Sequence, residues 1–357
     1  MKPAFWKARR VFLTGHTGFK GSWLALWLER LGAQVVGYSL EPPSQPSLFE
    51  MAAVDQGIES IHGDIRDLGK LSASIERHQP EVVLHLAAQS LVRQGYHDPI
   101  ETYSTNVLGT ANVLEAARKA ESIRILLSVT SDKCYDNGDR KHGFREGDPL
   151  GGKDPYSSSK ACAELVTGAY RQSFFSGTGN NTAIASARAG NVIGGGDFAA
   201  DRLVPDLVRG FLAKQPVLIR RPLAVRPWQH VLEPLSGYLT IVEQGWNSPA
   251  KIEGAWNLGP DSIDERPVEW VADRLVALWG DDAAWTRDQR VHPAEAAFLK
   301  LDSTKARTVL DWRPRLELAQ ALEWVTAWHQ AIAAGGNARE LTIAQIGAYE
   351  KLGPRDN

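Results

Sequence analysis

Residues 11–28, "VFLTGHTGFKGSWLALWL", contain the pattern that decides the fold. The apolar run at 11–14 predicts a short strand, and the segment that begins "GSWLALWL" predicts a helix with apolar side chains nearly all round. Between them lie Gly15, Gly18 and Gly21. Glycines at such a junction permit a tight turn and let the backbone approach a pyrophosphate, which the unpaired N–H groups at the start of a helix bind. The stretch therefore predicts a dinucleotide-binding loop, with a simple tight connection as the alternative.

Strands and helices alternate through the first half of the chain. The longest helical patterns cover 98–120 and 154–175. Such alternation implies an α/β fold, with a doubly wound parallel sheet and helices on both faces. The segments with a strand pattern are 11–14, 34–38, 82–86, 123–128 and 182–187.

After about residue 190, glycine and proline interrupt shorter elements, which predicts a smaller mixed α/β lobe. We expect residues 1–188 to form the nucleotide-binding (Rossmann) domain. Residues 189–345 should mainly form a substrate-binding lobe, with some segments returning to the first sheet. Residues 350–357 have the composition of a flexible tail.

Composition excludes several classes of protein. With 357 residues, 43% apolar content and a formal net charge of −2, the chain offers no electrostatic case for nucleic acid or an acidic membrane surface. No apolar stretch approaches the roughly 18 residues of a membrane helix, and the amino terminus lacks a signal-type segment. The two cysteines, Cys134 and Cys162, have no metal-type spacing with histidines. We expect a reduced, cytoplasmic protein without a structural metal.

The spacing G-x-x-G-x-x-G resembles that of the extended short-chain dehydrogenase/reductase (NAD-dependent epimerase/dehydratase) family. Only Glu41 follows the second strand as a candidate ribose ligand and no arginine cluster follows it, which favours NAD and leaves NADP open. The resemblance also implies an adenine contact in "HGDIRD", a loop beneath the cofactor in "HLAAQS", and an ordering role for an asparagine in the next helix. The cofactor-binding residues implied are Gly15, Gly18, Phe19, Gly21, Asp64, Ile65, Leu86, Ala87, Ala88, Gln89, Asn106, Tyr156 and Lys160.

In "PYSSSK", Tyr156 and Lys160 are four residues apart, on one face of a predicted helix. An ammonium group and a nicotinamide cation near a phenol favour the phenolate, so the pair can act as a base for a hydroxyl that loses hydride. The alternative is a chance Y-x-x-x-K on a solvated helix.

The predicted strand at 123–128 leads into "SDKCYD", which brings Ser131, Asp132 and Lys133 to its carboxyl end. A polar turn is the simple alternative. The stretch resembles the corresponding segment of nucleotide-sugar 4,6-dehydratases, with lysine where the commoner members carry glutamate. Together with "TGHTGFKGSWL", "AGNVIGGGDFAADRLVPD", "RPWQHVLEPL" and "HPAEAAFLKLDSTKARTVLDW", it resembles the CDP-glucose branch of these enzymes.

That resemblance implies a closed redox cycle on a nucleotide-sugar substrate. Tyr156 takes the 4-hydroxyl proton while hydride passes from carbon 4 to NAD. A base, for which we propose Lys133, removes the proton on carbon 5, and protonated Asp132 assists loss of the 6-hydroxyl as water. Hydride then returns to carbon 6. Alternatives left open are a dehydratase for another nucleotide sugar, a 4-epimerase, a non-enzymatic NAD-binding sensor, and a Lys133 that merely pairs with Asp132.

The resemblance also places substrate contacts in the second half and implies a homodimer through the two long helices. Trp228 and His230 could line the site or pack in the core. Glu295 lies with His292 in a late segment that resembles a substrate-binding loop of the family. The substrate-binding residues implied are Asn191, Arg202, Arg226, Asn257 and His292.

Overall fold

A computed structural model describes residues 1–138, 142–177, 182–280, 282–290 and 298–355. Its strands are β1 (Arg10–Thr14), β2 (Gln34–Ser39), β3 (Glu59–His62), β4 (Val82–His85), β5 (Ile125–Val129), β6 (Ala183–Ala189), β7 (Asn191–Ile193), β8 (Val217–Ile219), β9 (Val225–His230), β10 (Gly254–Leu258), β11 (Glu265–Pro267) and β12 (Trp285–Arg287).

The helices are α1 (Pro3–Trp6), α2 (Phe19–Arg30), α3 (Leu48–Met51), α4 (Leu68–His78), α5 (Val92–His97), α6 (Pro99–Tyr103), α7 (Gly109–Lys119), α8 (Pro155–Tyr170), α9 (Leu203–Leu212), α10 (Leu232–Gly245), α11 (Pro249–Ile252), α12 (Val268–Trp279), α13 (Thr304–Val309), α14 (Leu318–Ala333) and α15 (Ala338–Lys351). Turns of π-helix at Ser104–Leu108 and Arg171–Phe175 continue the two long helical segments predicted from the sequence.

Within the described residues, seven parallel strands form the main sheet in the order β10-β6-β5-β4-β1-β2-β3. The predicted doubly wound α/β fold is confirmed. Because β1 leads to β2 and β3 on one side while β4, β5 and β6 follow on the other, the strand order reverses between β1 and β4. In sheets of this type, ligands bind in the crevice at the carboxyl ends of the strands at that point.

Burial explains why these segments are strands. Every residue of β4, β5 and β6 is buried, as expected for parallel strands covered by helices on both faces. Helix α2 is apolar nearly all round because it is buried on most of its circumference. The indole of Trp23 donates to the Gly195 carbonyl, and the ring of Trp27 packs edge-on against Tyr349 of α15.

The second half of the chain divides between two places. Strand β10 pairs with β6, and α10 packs on the main sheet. The remaining strands form a sheet of order β11-β9-β7 and a β8–β12 pair, and their apolar side chains pack with those of α9, α12 and α14.

The carboxyl-terminal residues pack against the rest of the molecule. Helix α15 continues through Lys351, which lies inside the segment predicted to be a tail. Arg355 donates to Asp264 at 2.6 Å, so the described part of that segment is tied to the lobe rather than free. No helix in the described part of the chain is long and apolar enough to cross a membrane.

Candidate active site

The glycine loop lies at the point where the strand order reverses. Gly15 has φ +78°, and a Cβ placed on it would lie 2.7 Å from the Ala87 nitrogen, so only glycine fits. A Cβ on Gly21 would lie 2.0 Å from the Gly15 oxygen, which shows how closely α2 packs on the loop. Gly18 precedes α2 and has open space beyond a single 3.4 Å contact. Close packing behind and space in front, at a helix start, fit a dinucleotide pyrophosphate.

The residues after β2 and β3 make mostly local contacts. The Asp64 carboxylate accepts from the backbone and guanidinium of Arg66, and these hydrogen bonds hold the pKa of Asp64 below its usual value. Ile65 is buried against Gly109 of α7. Glu41, the predicted ribose acid, is largely exposed and pairs with His62 at 2.9 Å.

Asn106 fixes the loop that follows β4. Its Oδ1 accepts from the Gln89 N–H at 2.8 Å, and its Nδ2 donates to the Gln89 carbonyl and to Ser159 Oγ, both at 2.9 Å. The side chain is 2% exposed and lies in the π-helical turn, a type of distortion frequent at functional sites. Asn106 therefore joins the segment from Leu86 to Gln89 to helix α8.

The segment after β5 brings the predicted acid, amine and hydroxyl groups together. Ser131 Oγ accepts from the Lys133 N–H at 3.2 Å and donates to Asp132 Oδ1 at 3.0 Å. Lys133 Nζ donates to the same oxygen at 3.3 Å. The phenol of Tyr156 lies close enough to the Ser131 side chain for the two groups to interact. Hydrogen bonds thus connect Ser131, Asp132 and Lys133, and Tyr156 lies beside Ser131.

One carboxylate oxygen of Asp132 is available to a ligand. The residue is fully buried, and its Oδ2 has no hydrogen-bond partner among the described residues. A buried carboxylate oxygen without a partner is costly, so it indicates a polar ligand group at this point. Gly190 lies directly beside it, since a Cβ there would be 3.3 Å from Oδ2. The neighbouring Asn191 likewise has an unpartnered buried Oδ1 within the described structure.

Burial shifts the pKa values of the tyrosine and the lysines. Burial raises the pKa of Tyr156 to about 12, and the nearby Ser131 side chain offsets only part of this effect. Burial lowers the pKa of Lys160 to about 8. The protein groups alone therefore keep Tyr156 protonated at neutral pH. The lowered tyrosine pKa expected from the sequence depends on further positive charge, of the kind a nicotinamide ring carries.

Arg202, one of the predicted substrate contacts, lies near Tyr156. It donates to Asp197 and to Ser90 Oγ, both at 3.0 Å, and its charge acts on the pKa of Tyr156. The pairing with Asp197 raises the pKa of Arg202, so this group stays cationic. Arg226 is buried on β9 and donates to the Val225 carbonyl.

The remaining residues considered as substrate contacts are buried in the protein interior or lie outside the described residues. Asn257 is fully buried, and its amide accepts from the Tyr135 hydroxyl and donates to the Phe144 and Asp302 carbonyls. Each of its polar groups is used inside the protein, which argues against the predicted substrate contact. Trp228 and His230 also belong to the core. His292 and Glu295 lie outside the described residues.

Comparison with known proteins identifies the family. Residues 12–324 match the family model described as GDP-mannose 4,6 dehydratase. The chain belongs to the GDP-mannose 4,6 dehydratase family. It is 52% identical over 348 residues to the CDP-glucose 4,6-dehydratase of Salmonella typhimurium, with 97% of each chain covered. It is 25% identical to a probable dTDP-glucose 4,6-dehydratase of Sinorhizobium fredii, over 90% of this chain and 92% of that protein.

Two solved structures of similar proteins share the fold of this chain. The dTDP-glucose 4,6-dehydratase from Bacillus anthracis, in complex with NAD, is 22% identical with a TM-score of 0.77, over 94% of this chain and 100% of that one. The UDP-glucuronic acid 4-epimerase from Bacillus cereus, in complex with UDP-glucuronic acid and NAD, is also 22% identical with a TM-score of 0.77, over 90% and 99%.

Lys20 was not identified from the sequence as a residue of the candidate site. Lys20, in the first turn of α2, lies close enough to Arg202, Lys160, Asp132 and Lys133 to interact with their charges. Burial, together with the neighbouring cations, lowers the pKa of Lys20 to about 7. The signal in the sequence was a lysine between Phe19 and Gly21, in a segment whose other side chains are mostly apolar.

Proposed function

We propose that the protein is a CDP-glucose 4,6-dehydratase that uses NAD and converts CDP-glucose into CDP-4-keto-6-deoxyglucose. The relative from Salmonella typhimurium supports the substrate, and the glycine loop supports the cofactor. The observation that carries the proposal is an acid and an amine in contact, Asp132 and Lys133, linked through Ser131 to Tyr156. A 4-epimerase has no leaving hydroxyl and needs no such acid.

NAD, when bound, accepts the hydride from carbon 4 and returns it to carbon 6. The residues that would hold it are the glycine loop with Phe19, the turn at Asp64 and Ile65, and the loop from Leu86 to Gln89 that Asn106 clamps. Lys160 would provide positive charge near the phenol of Tyr156, which lies one turn before it on α8.

Tyr156 serves as the base for the 4-hydroxyl group. Ser131 lies beside the phenol, and the positive charge of Arg202 favours the phenolate, as the charge of a bound nicotinamide would. Removal of this proton as hydride leaves carbon 4 produces a ketone, which acidifies the proton on carbon 5.

Asp132 and Lys133 perform the elimination. Transfer of one proton from Nζ to Oδ1, along the 3.3 Å contact, turns the ammonium–carboxylate pair into an amine and a carboxylic acid. The amine takes the carbon 5 proton, and the acid gives its proton to the departing 6-hydroxyl, which leaves as water. The mechanism therefore needs the contact between Lys133 Nζ and Asp132 Oδ1, and a purely structural ion pair would make the same contact.

Ser131 closes the proton cycle. When hydride returns to carbon 6, Lys133 gives its proton back to carbon 5. Tyr156 still carries the proton from the 4-hydroxyl, and Ser131 lies between its phenol and Asp132. A shift of the proton through the Ser131 hydroxyl restores both the phenolate and the acid for the next turnover.

The diphosphate of the substrate would bind on the lobe side of this chain of groups. Arg202 is already oriented by Asp197 and Ser90, and a second cation, Arg226, lies on β9. The free oxygens of Asp132 and Asn191 are suited to accept from sugar hydroxyls.

A panel of nucleoside diphosphate glucoses tests the proposal. We expect a 4-keto-6-deoxy product, read by its alkaline absorbance, from CDP-glucose in preference to the dTDP, UDP and GDP sugars. NAD should be needed only in catalytic amounts, without net NADH. An epimer as the product would support the 4-epimerase alternative, and NADH equal to the sugar consumed would show a simple dehydrogenase. A preference for a sugar nucleotide with another nucleobase would leave the proposed reaction unchanged and correct only the proposed substrate.

The quaternary structure in this proposal is a homodimer. Large apolar side chains are exposed along α5, α6, α8 and their π-helical turns, where helices of this chain pack side by side. They are Tyr96, Ile100, Tyr103, Leu108, Leu165 and Phe174. A second copy of the chain would bury them in a bundle of helices.

Sedimentation tests the dimer. Ile100→Lys with Leu165→Lys should give a monomer, whereas Leu212→Lys, at an exposed leucine on the lobe, should not. A wild-type protein that sediments only as a monomer at micromolar concentration contradicts the proposal. We also assign the protein to the cytoplasm, because the free thiols of Cys134 and Cys162 suit a reducing compartment.

A further inference from the structure

A buried ion pair lies next to the proposed reaction site and takes no part in the chemistry described above. Glu164 and Arg188 are 6% and 3% exposed, and Arg188 Nη2 donates to Glu164 Oε2 at 2.7 Å. Ser186 Oγ donates to the same oxygen at 2.8 Å, and Thr130 donates to Oε1. A buried pair of this kind is weak evidence for stability, because desolvation of both charges offsets their attraction.

The position of Glu164 connects the pair to the site. Tyr156, Lys160 and Glu164 follow each other at four-residue intervals on α8, so they form one stripe on the face that covers the sheet. Thr130 comes directly before Ser131, and Arg188 lies on β6, the strand next to β5. Glu164 thus belongs to the helix of the base, and its carboxylate contacts Thr130 in the segment that leads to the acid.

Arg188 keeps this carboxylate charged. Although burial favours the neutral acid, Arg188 and the hydroxyl donors hold the pKa of Glu164 below its ordinary value. Arg188 is itself fixed, since its Nη1 donates to the Tyr135 hydroxyl at 2.8 Å and to the Glu146 carbonyl at 3.1 Å.

The groups that face Lys160 come from four elements. Lys20 faces it from α2, His85 from β4, Cys134 from the turn after β5, and Glu164 from α8 itself. Burial lowers the pKa of His85 to about 3 and raises that of Cys134 well above its ordinary value, so both are neutral at working pH. Lys20 disfavours a second cation. Of these groups, Glu164 provides the negative charge that favours the ammonium form of Lys160.

We propose that Glu164 is a positioning residue that keeps Lys160 cationic during turnover, and that Arg188 maintains the charge of Glu164 for this purpose. The inference rests on the proposed roles of Tyr156 and Lys160. Without Glu164, Lys160 would lose its proton at a lower pH, and the phenolate of Tyr156 would lose its neighbouring cation.

The test is the pH dependence of kcat for Glu164→Gln, measured as 4-keto-6-deoxy product from CDP-glucose with saturating NAD. The basic limb of the profile should move down by about one pH unit, the lower end of the effect of a nearby opposite charge. At pH 8 this corresponds to a loss of roughly fivefold relative to wild type, with little difference at pH 6. Glu164→Asp, which keeps the charge, should restore the wild-type profile.

Ser186→Ala is the matched control, because it removes one hydrogen bond to Glu164 and no charge. It should lower stability slightly and leave the profile in place. If Glu164→Gln leaves Arg188 unpaired and does not fold, the variant Glu164→Gln/Arg188→Met removes both charges and should fold with the same shifted limb.

An unchanged basic limb in a folded Glu164 variant overturns the proposal, as does an equal shift in Ser186→Ala. Lys160→Ala separates this outcome from an error in the proposed site. If Lys160→Ala loses activity while the Glu164 variants keep the wild-type profile, only the role of Glu164 is wrong. If Lys160→Ala stays active, the role proposed for Lys160 itself is wrong.

Discussion

Replacement of Asn106 by alanine should lower the stability of the protein or its affinity for NAD, because Asn106 anchors the loop that follows β4. The amide of Asn106 satisfies both peptide groups of Gln89 and also donates to Ser159. Alanine leaves the Gln89 N–H and carbonyl without these partners. The loop from Leu86 to Gln89, which packs against Gly15 through Ala87, then has no fixed anchor on α8.

The size of the effect follows from the groups left unpaired. Each buried polar group without a partner costs about 1–3 kcal/mol, and the two Gln89 groups are only partly buried, so about 2–3 kcal/mol in total is expected. If the loop stays in place, the free energy of unfolding falls by this amount. If the loop moves to reach water, NAD must restore its position, and the affinity for NAD falls by roughly 30- to 150-fold.

Two measurements separate these outcomes: urea unfolding with and without NAD, and NAD titration followed by tryptophan fluorescence. Asn106→Asp keeps the acceptor for the Gln89 N–H and should recover part of both losses. Glu243→Ala is the control, because Glu243 accepts from Trp6 far from the carboxyl ends of the strands and should affect stability alone. An Asn106→Ala protein with wild-type NAD affinity and wild-type stability would refute the reasoning.

Three further predictions concern the reaction and the core. Tyr156→Phe should keep substrate affinity and lose 10² to 10⁴ in rate, the usual contribution of a positioned base, and near-normal turnover would mean that the base is another group. Lys133→Ala should still oxidise carbon 4 but lose solvent deuterium exchange at carbon 5 together with product formation; exchange at the wild-type rate would exclude Lys133 as the base. Glu233→Gln should raise stability by up to about 3 kcal/mol at pH 7.5, because burial raises the pKa of Glu233 to about 7. A carboxyl group whose pKa is higher in the folded than in the unfolded protein destabilises the wild type as the pH rises from about 4.5 to 7. Unfolding free energies with the same pH slope in the wild type and in Glu233→Gln would therefore contradict this pKa.

The main sheet could largely be predicted from the sequence because its central strands are buried on both faces. The segments 82–86 and 123–128 are mostly apolar, and the observed β4 and β5 differ from them by one or two residues at their ends. Strand β3 was missed because it is a mostly exposed edge strand, "ESIH", without an apolar run. Strand β10 was missed because its pairing with β6 joins segments far apart in the chain.

The site was predictable where neighbours in the chain are neighbours in space. Tyr156 and Lys160 share a helix face, and Ser131, Asp132 and Lys133 share one turn. Asn257 was misjudged because its hydrogen bonds depend on segments more than 40 residues away. The same holds for Lys20, whose proximity to Arg202 brings together residues from the two halves of the chain and follows from no local pattern.

The order in which the sheet is completed matters during synthesis. Strand β6 is buried along its whole length, yet the strand that covers its outer edge, β10, is made roughly 70 residues later. At a translation rate of about 5–20 residues per second, the growing chain carries an apolar, unpaired strand edge for about 3–14 seconds. Such an edge is a template for pairing with other chains. A ribosome pause or a truncation between residues 189 and 254 therefore produces a species that needs a chaperone to stay free of aggregates.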